Sequence, residues 1–469
     1  MKTYQFFLQA LGLAPLIAAQ ANVISDWNLT ASTYLIRQAE SHYARGMTMV
    51  SVAQFDAVNA VVGGYLPYAL EVVAPGASPE AAAAQAAYTV LTNVSRANVS
   101  ALDTALNQSL AAVADGPAKD AGLQLGRLAA DRIIRLRAAD NPNLVVNPPT
   151  STAAGKWRLS PPNTTSGIGA NNRYQLTWTL RSPADFRPGP PPALTSAQYA
   201  ADLDEVRRLG AINSTERTPD QTEAANFHFG IEETFVRTVL TQRTLPLIET
   251  ARAIALCHMA AADGVIAFYE AQYAYSSWRP YTAIRLAGTD GNDATEADPA
   301  WEPLLGTPNH PEYPSGTCTL TAALVEALIA SYGDDFSFTG TWTGAPKPRN
   351  FARLSAALDD AVIARIAAGA HFRTSCETGI DLGRRIARHA LANYLRPLPR
   401  LAAKPRAPGQ FEFLVDLHPA GPLSYAVESS NDLQEWRPWH TDILGITAFT
   451  DPDGIAEGRR FYRVVPWAP

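Results

Sequence analysis

The sequence has few cysteines, few charged residues and no excess of positive charge. Its 469 residues include 3 cysteines and 17% charged residues, and the formal net charge is −6. Three cysteines are too few for a disulfide framework, although one pair could form. A mildly acidic chain argues against nucleic acid as the main partner, because neutralising a phosphate backbone needs a basic surface. Any anion that this protein binds must therefore be held by local cations.

The sequence also lacks the motifs of several common enzyme classes. It contains no His-Glu-x-x-His, no Cys-x-x-Cys, no Gly-x-x-x-x-Gly-Lys-Ser/Thr and no Gly-x-Ser-x-Gly. No strand followed by a glycine-rich turn and a helix is predicted, so a dinucleotide-binding fold is not supported. With 47% apolar residues, 30 glycines and 35 prolines, the chain is not collagen, coiled coil or disordered protein. Its length predicts two to four domains, or one large helical domain with an appendage.

The first 21 residues predict a secretory signal peptide. Lys2 supplies the positive charge, residues 6–19 form a short apolar run, and Ala19-Gln20-Ala21 is a cleavage site. A buried N-terminal helix is the alternative. No later segment is expected to be apolar over 18 residues, so no membrane span is predicted. We therefore expect a secreted or periplasmic protein.

Residues 22–396 are predicted to be mainly helical. Ser78, Pro79 and Glu80 form a helix start, and apolar residues at helical spacing from Thr244 to Tyr275 predict a largely buried helix. Between residues 140 and 194, ten prolines interrupt the helical pattern. A loop of this length usually has a function or covers a site.

Beyond residue 396 the predicted secondary structure changes. Prolines predict a linker over residues 397–409, and alternating apolar residues then predict strands over 410–469. We expect a small β-sandwich, which resembles the fibronectin-type modules of exported bacterial proteins. A passive cap is the favoured role for this module, and binding to a surface or a glycan is the alternative.

Three short segments carry the residues with chemical potential: Trp278-Arg279-Pro280, His310 to Thr317, and Arg365 to His371. In the second, Pro314-Ser315-Gly316 opens a helix, whose free N–H groups and macrodipole favour an anion. In the third segment, Arg365 and His371 are separated by nearly two helical turns, or by one turn and a break at Gly369. Their side chains could therefore face one cavity. Taken alone, each segment more often has a capping or packing role in proteins than a role in a functional site.

The conjunction of the three segments resembles the vanadium-dependent haloperoxidase and type 2 phosphatidic acid phosphatase superfamily. The signatures of that superfamily are Lys-x6-Arg-Pro, Pro-Ser-Gly-His and Arg-x5-His. The stretches 55–60, 186–192 and 310–316 also resemble its exported bacterial haloperoxidase-like branch, and the similarity spans roughly residues 25–396. The resemblance implies a mainly α fold with a helical-bundle core.

The resemblance also implies a bound oxyanion, vanadate or phosphate, and a role for each matching residue. The oxyanion would be held by Arg279, Ser315, the Gly316 amide and Arg365. His371 would be the apical partner, which bonds to vanadium in a haloperoxidase and attacks phosphorus in a phosphatase. Vanadate would supply Lewis acidity toward peroxide.

Two positions depart from the signatures. Gln272 stands where the superfamily has an oxyanion-binding lysine, and Thr317 stands where it has a histidine. Glutamine brings no charge, and threonine is no acid–base group near neutral pH. Losing both should weaken oxyanion binding and slow proton transfer. His310 could act as the acid–base group instead, or could simply cap its loop.

Three functions remain open from the sequence. The first is oxidation of a halide, bromide in the first place, by hydrogen peroxide with vanadate as cofactor. The second is a metal-independent acid phosphatase that forms a phosphohistidine at His371. The third is a weakened relative that binds an oxyanion or serves at a surface.

Related enzymes often dimerise, so a homodimer is also an expectation. Cys318 and Cys376 could form a bridge, or be two small buried residues.

Overall fold

A computed structural model describes most of the helical region and parts of the strand region. The described residues are 22–35, 40–161, 167–228, 232–341, 345–398, 400–407, 410–416, 424–432, 434–443, 447–450 and 460–467. The predicted signal peptide, residues 1–21, lies outside them. The chain is mainly α, with helices up to residue 393 and strands mostly after residue 400, as the sequence predicts.

Thirteen α-helices lie within the described residues. They are α1 (Val23–Leu35), α2 (Glu40–Val62), α3 (Pro79–Val94), α4 (Val99–Ala111), α5 (Pro117–Leu136), α6 (Ala197–Leu209), α7 (Pro219–Phe227), α8 (Glu232–Gln242), α9 (Leu247–Tyr275), α10 (Pro280–Arg285), α11 (Gly316–Tyr332), α12 (Ala356–Ala367) and α13 (Arg373–Asn393). The predicted start of α3 is confirmed, because the Ser78 hydroxyl accepts a hydrogen bond from the Ala81 N–H at 3.1 Å.

Helix α9 is the central element of the core and packs against α2, α11 and α13. Its 29 residues are long and apolar enough to cross a membrane, so the expectation that no later segment is so apolar was wrong. Within its most apolar 18-residue window, however, 89% is buried inside the protein. The apolar residues of α9 are therefore those of a core helix that is surrounded by other helices.

Two glycines of α13 let it approach α11 backbone to backbone. A Cβ at Gly383 would lie 2.2 Å from the Thr319 carbonyl oxygen, and one at Gly379 would lie 2.6 Å from the Ser315 carbonyl oxygen. Real Cβ atoms do not come this close, so only glycine permits the observed packing. This contact holds the start of α11 beside the start of α13.

The proline-rich segment 140–194 contains no α-helix among its described residues and is fastened onto α9. The buried Asp263 carboxylate accepts hydrogen bonds from the N–H groups of Trp178 and Thr179, both at 2.7 Å. Farther along, the carbonyls of Pro188 and Gly189 accept from tyrosine hydroxyls near the end of α9 and before α11. The segment therefore covers the end of the bundle where the three chemical segments meet.

The strands form small antiparallel sheets. They are β1 (Phe338–Gly340), β2 (Arg349–Phe351), β3 (Arg400–Ala407), β4 (Gln410–Asp416), β5 (Ser424–Ser430), β6 (Arg437–Ile443), β7 (Thr447–Thr450) and β8 (Phe461–Trp467). Strands β1 and β2 form a hairpin, and the others form the sheets β3-β4-β7 and β6-β5-β8. The expected linker 397–409 thus contains strand β3, because residues 400–405 and Ala407 pair with β4 despite Pro405. That the two sheets stack as a sandwich stays a prediction.

Replacing Gly383 with alanine should destabilise the protein. The added methyl group would collide with the α11 backbone, and overpacking of this kind costs about 1–3 kcal/mol. Urea unfolding measures the change. Gly288→Ala is the matched control, because a Cβ there meets nothing within 4 Å. Equal stability of the two variants would contradict the close helix contact.

Candidate functional site

Arg279 reaches the interior because the chain turns sharply after α9. Helix α9 ends at Tyr275, and Ser276 follows in the left-handed region with φ 53. Arg279 then caps α10, and Pro280 takes the first helical position. The Arg279 side chain is 0% exposed, although it is one of the largest polar side chains in the protein.

The Arg279 guanidinium joins the second and third chemical segments. Its Nε donates to the His310 carbonyl at 2.8 Å, and its Nη1 donates to the Ala370 carbonyl at 2.9 Å. Nη1 also lies 3.0 Å from His371 Nε2, and Nη2 lies 3.1 and 3.3 Å from the two ring nitrogens of His310. Burial lowers the pKa of Arg279 to about 9, so the group stays charged at neutral pH. The convergence expected from the sequence is therefore present.

A break at Gly369 brings His371 back toward Arg365, which decides between the two arrangements left open by the sequence. Gly369 has φ +75, and the Ala370 N–H donates to the Arg365 carbonyl at 3.1 Å. A Cβ at Gly369 would also lie 2.7 Å from Pro303 Cβ. The turn therefore requires glycine both for its backbone conformation and for space.

The contacts of His371 fix which of its nitrogens carries the proton. Nδ1 lies 2.9 Å from Glu312 Oε1, and Arg279 Nη1 lies 3.0 Å from Nε2. A guanidinium can only donate, so Nε2 presents a lone pair and Nδ1–H donates a hydrogen bond to the carboxylate. Burial lowers the pKa of His371 well below its ordinary value, and the charges of Arg279 and Arg365 lower it further. His371 is thus a neutral imidazole whose Nε2 lone pair faces the guanidinium.

Glu312 is the residue that the sequence interpretation missed. It lies in the second segment, His-Pro-Glu-Tyr-Pro, where an acid between two prolines was the available signal. Its carboxylate is buried and also accepts from the Phe372 N–H at 3.1 Å. Burial raises the pKa of Glu312 to about 7, although the charge of Arg279 opposes this rise.

The start of α11 contributes the predicted anion-favouring N–H groups. Ser315 is the buried N-cap residue, and its hydroxyl accepts from the Cys318 N–H at 3.5 Å. A Cβ at Gly316 would lie 3.0 Å from the Phe268 ring, which explains the glycine at the first helical position. Thr317 is the second residue of α11 and is half-buried.

Arg365 lies in the last turn of α12 and is 4% exposed. Its charge lowers the pKa of Arg279, of His310 and of His371, so all four side chains belong to one electrostatic cluster. Two buried guanidinium groups and a helix start give this cluster an excess of positive charge. A buried positive cluster is stabilised by an anion.

Gln272 and His310 contact each other at the edge of this cluster. The Gln272 amide donates from Nε2 to the Pro314 carbonyl at 2.8 Å, and its Oε1 lies 2.7 Å from His310 Nδ1. Gln272 is 0% exposed, whereas His310 is only partly buried. His310 is therefore the member of the cluster that is nearer to solvent.

Cys318 and Cys376 lie beside the cluster as free, buried thiols, as does Cys257 in α9. Burial raises the pKa of the Cys376 thiol, and a hydrogen bond with Cys318 raises it further. The two residues are thus in contact without a bridge, in agreement with the simpler of the two interpretations.

A cavity of about 60 Å³ lies on the Glu312 side of the site. Its walls include Pro191 and Pro192 of the proline-rich segment, Trp278 and Phe372, which are chain neighbours of Arg279 and His371, and Glu312 itself. The covering segment therefore leaves room for a few water-sized molecules beside the carboxylate that holds His371.

Comparison with known proteins finds a family model that matches the part of the chain carrying this arrangement. The family model of the VCPO second helical-bundle domain matches residues 252–398, which contain all three chemical segments. Residues 252–398 are therefore similar to a domain of the vanadium haloperoxidase superfamily. The helical part of the chain has the fold of that superfamily, and the resemblance seen in the sequence is confirmed.

Solved structures support the same fold over most of the chain. A bacterial vanadium-dependent iodoperoxidase matches with a TM-score of 0.67 and 24% identity, covering 80% of this chain and 96% of its own. A holo-type bacterial vanadium-dependent chloroperoxidase matches with a TM-score of 0.61 and 17% identity, covering 80% and 98%. An apo-type chloroperoxidase gives 0.60 and 16%, covering 76% and 94%. No curated protein sequence matches the chain.

Replacing Glu312 with glutamine should change how stability depends on pH. With the pKa of Glu312 raised to about 7 from 4.5, the folded protein keeps a proton that the unfolded chain has already released. The free energy of unfolding therefore falls as pH rises through this range. Glutamine does not titrate, so the Glu312→Gln variant should not show this fall.

Urea unfolding of both proteins between about pH 5 and about pH 8 measures this effect. The difference in stability should shift in favour of Glu312→Gln as pH rises. Glu71→Gln, at an exposed position, is the control and should show no such trend. A shift in favour of the unaltered protein would contradict the assigned burial of the carboxylate.

Proposed function

We propose that this protein is a vanadate-dependent haloperoxidase, which uses hydrogen peroxide to oxidise a halide, with bromide as the first candidate. The observation that carries the proposal is the neutral His371, whose Nε2 lone pair faces the buried Arg279 guanidinium at 3.0 Å. A nitrogen donor beside a buried cation suits an oxyanion with an electrophilic centre. The similar solved structures are a vanadium-dependent iodoperoxidase and vanadium-dependent chloroperoxidases.

The residues fit a tetrahedral oxyanion such as vanadate. Arg279 and Arg365 would bind its oxygens with charge-assisted hydrogen bonds, and Ser315 and the Gly316 amide would add donors at the helix start. His371 would bind the central atom through Nε2. Phosphate has a similar shape and charge and would occupy the same site.

When bound, vanadate supplies Lewis acidity toward peroxide without changing its oxidation state. This chain's residues do the rest. Glu312 keeps the proton of His371 on Nδ1, and the two arginines hold negative charge in a place closed to water. Oxidation of a halide by peroxide to hypohalous acid and water consumes one proton. His310 is a neutral imidazole at the partly buried edge of the cluster, and we expect it to take up this proton from solvent and pass it on.

An acid phosphatase that acts through a phosphohistidine at His371 is the second candidate. The His371–Glu312 contact at 2.9 Å favours it, because a carboxylate that orients an imidazole also makes its free nitrogen a better nucleophile. The third candidate is a weakened oxyanion-binding relative, since Gln272 and Thr317 bring no charge. We also propose that the protein is secreted or periplasmic and that it forms a homodimer. The division into a helical domain, 22–396, and a β module, 410–469, is likewise a proposal.

Turnover assays distinguish the three candidates. Halogenation of a dimedone derivative by peroxide and bromide, with and without orthovanadate, is compared with hydrolysis of nitrophenyl phosphate. Vanadate-dependent halogenation is the expected result, and replacing His371 with alanine should abolish it. His42→Gln, outside the site, is the control. Hydrolysis that vanadate inhibits would support the phosphatase, and inactivity in both assays would support the weakened relative.

Replacing Arg365 with methionine should weaken oxyanion binding at least tenfold. A hydrogen bond to a charged group contributes about 1.5–3 kcal/mol, and a tenfold change in affinity corresponds to about 1.4 kcal/mol. Calorimetric titration with orthovanadate and with phosphate measures the dissociation constants. Arg181→Met is the matched control, because the Arg181 side chain is 90% exposed. An unchanged constant for Arg365→Met would remove this arginine from the site.

A further inference from the structure

Position 272 is where this chain departs from the superfamily signature, and its contacts differ from those of an oxyanion ligand. Gln272 lies near the end of α9 and is 0% exposed. Its amide donates to the Pro314 carbonyl at 2.8 Å, immediately before the Ser315 N-cap. Since a carbonyl oxygen can only accept, this bond fixes which end of the amide is nitrogen.

The orientation of the amide then fixes the tautomer of His310. Gln272 Oε1 faces His310 Nδ1 at 2.7 Å and can only accept, so Nδ1 carries a proton. In a neutral imidazole the other nitrogen, Nε2, has the lone pair. Arg279 Nη2 lies 3.1 Å from Nδ1 and 3.3 Å from Nε2, and the Gln272 contact to Nδ1 is shorter than both. With the proton on Nδ1, only Nε2 can accept a hydrogen bond from the guanidinium.

The surroundings of His310 keep the imidazole neutral. Burial lowers its pKa well below the ordinary value, and the charges of Arg279 and Arg365 lower it further. The Tyr269 ring packs edge-on against the imidazole with the ring centres 5.3 Å apart. His371, the other imidazole of the cluster, is neutral as well, so the two arginines carry the positive charge that faces His310.

We propose that Gln272 is a positioning residue for His310, and that it does not replace the missing lysine as an oxyanion contact. By holding the proton of His310 on Nδ1, it leaves Nε2 as the atom that takes up a proton and passes it to the substrate. The inference deepens the proposed function and rests on it for the identity of the substrate. The hydrogen bonds themselves are independent of that function.

A lysine at position 272 would work against this arrangement. An ammonium group could still donate to the Pro314 carbonyl, but it could not accept the proton of His310 Nδ1. It would also place a further positive charge in a fully buried position close to Arg279. Restoring the family residue alone is therefore expected to leave oxyanion affinity unimproved.

The tautomer can be observed directly in the unaltered protein. Long-range proton–nitrogen NMR of histidine-labelled protein distinguishes a proton on Nδ1 from one on Nε2, and His310→Gln identifies the signal by its loss. The expected state is Nδ1–H. A proton on Nε2 would overturn the proposal without any assay of turnover.

Three variants then separate positioning from oxyanion contact, with orthophosphate as the binding probe. Gln272→Met removes both hydrogen bonds, Gln272→Lys removes only the acceptor, and Gln272→Glu keeps an acceptor for Nδ1. The Met and Lys variants should lose the Nδ1–H preference and at least tenfold in kcat, while the dissociation constant for phosphate changes less than threefold. The Glu variant should retain Nδ1–H.

Two results would overturn the proposal. One is phosphate binding at least tenfold weaker in Gln272→Met, and the other is phosphate binding at least tenfold tighter in Gln272→Lys. Either would make position 272 an oxyanion contact. If the unaltered protein binds phosphate and shows Nδ1–H but neither halogenates nor hydrolyses, the proposed function fails and the positioning role of Gln272 stands.

Discussion

The site depends on one fully buried guanidinium. A charge that has been removed from water is tolerated only if hydrogen bonds replace the water, so the position of Arg279 constrains everything around it. Its nitrogens are met by the carbonyls of His310 and Ala370 and by the imidazoles of His310 and His371. These partners come from two distant segments of the chain. The same contacts that satisfy the charge therefore assemble the site.

Close helix packing supplies the rest of the geometry. Gly379 and Gly383 of α13 lie against the α11 backbone, and Gly316 lies against Phe268 of α9. A Cβ at Gly379 or Gly383 would collide with the α11 backbone, and one at Gly316 would crowd the Phe268 ring. Because these glycines have no side chains, the helices pack closely, and this packing fixes the start of α11 beside the cluster.

Glu312 and Gln272 show how a buried polar residue acquires a role from its neighbours. Each accepts a hydrogen bond from one histidine, and each leaves the other nitrogen of that histidine with its lone pair in the cluster. Their partners, His371 and His310, are neutral for the same reason, because burial and two arginines disfavour further positive charge. The site therefore combines fixed cations with two neutral imidazoles of defined tautomer.

The sequence by itself determined the mainly α fold and the three chemical segments, because helical spacing and short signatures are local properties of the chain. The oxyanion-binding roles of Arg279, Ser315, Arg365 and His371 follow from the resemblance to a superfamily and stay predictions. The sequence could not decide what Gln272 and Glu312 do. Their roles depend on partners 38 and 59 residues away in the sequence, and on a burial that only packing creates. For the same reason strand β3 was missed, since a proline-containing segment becomes a strand only when β4 pairs with it.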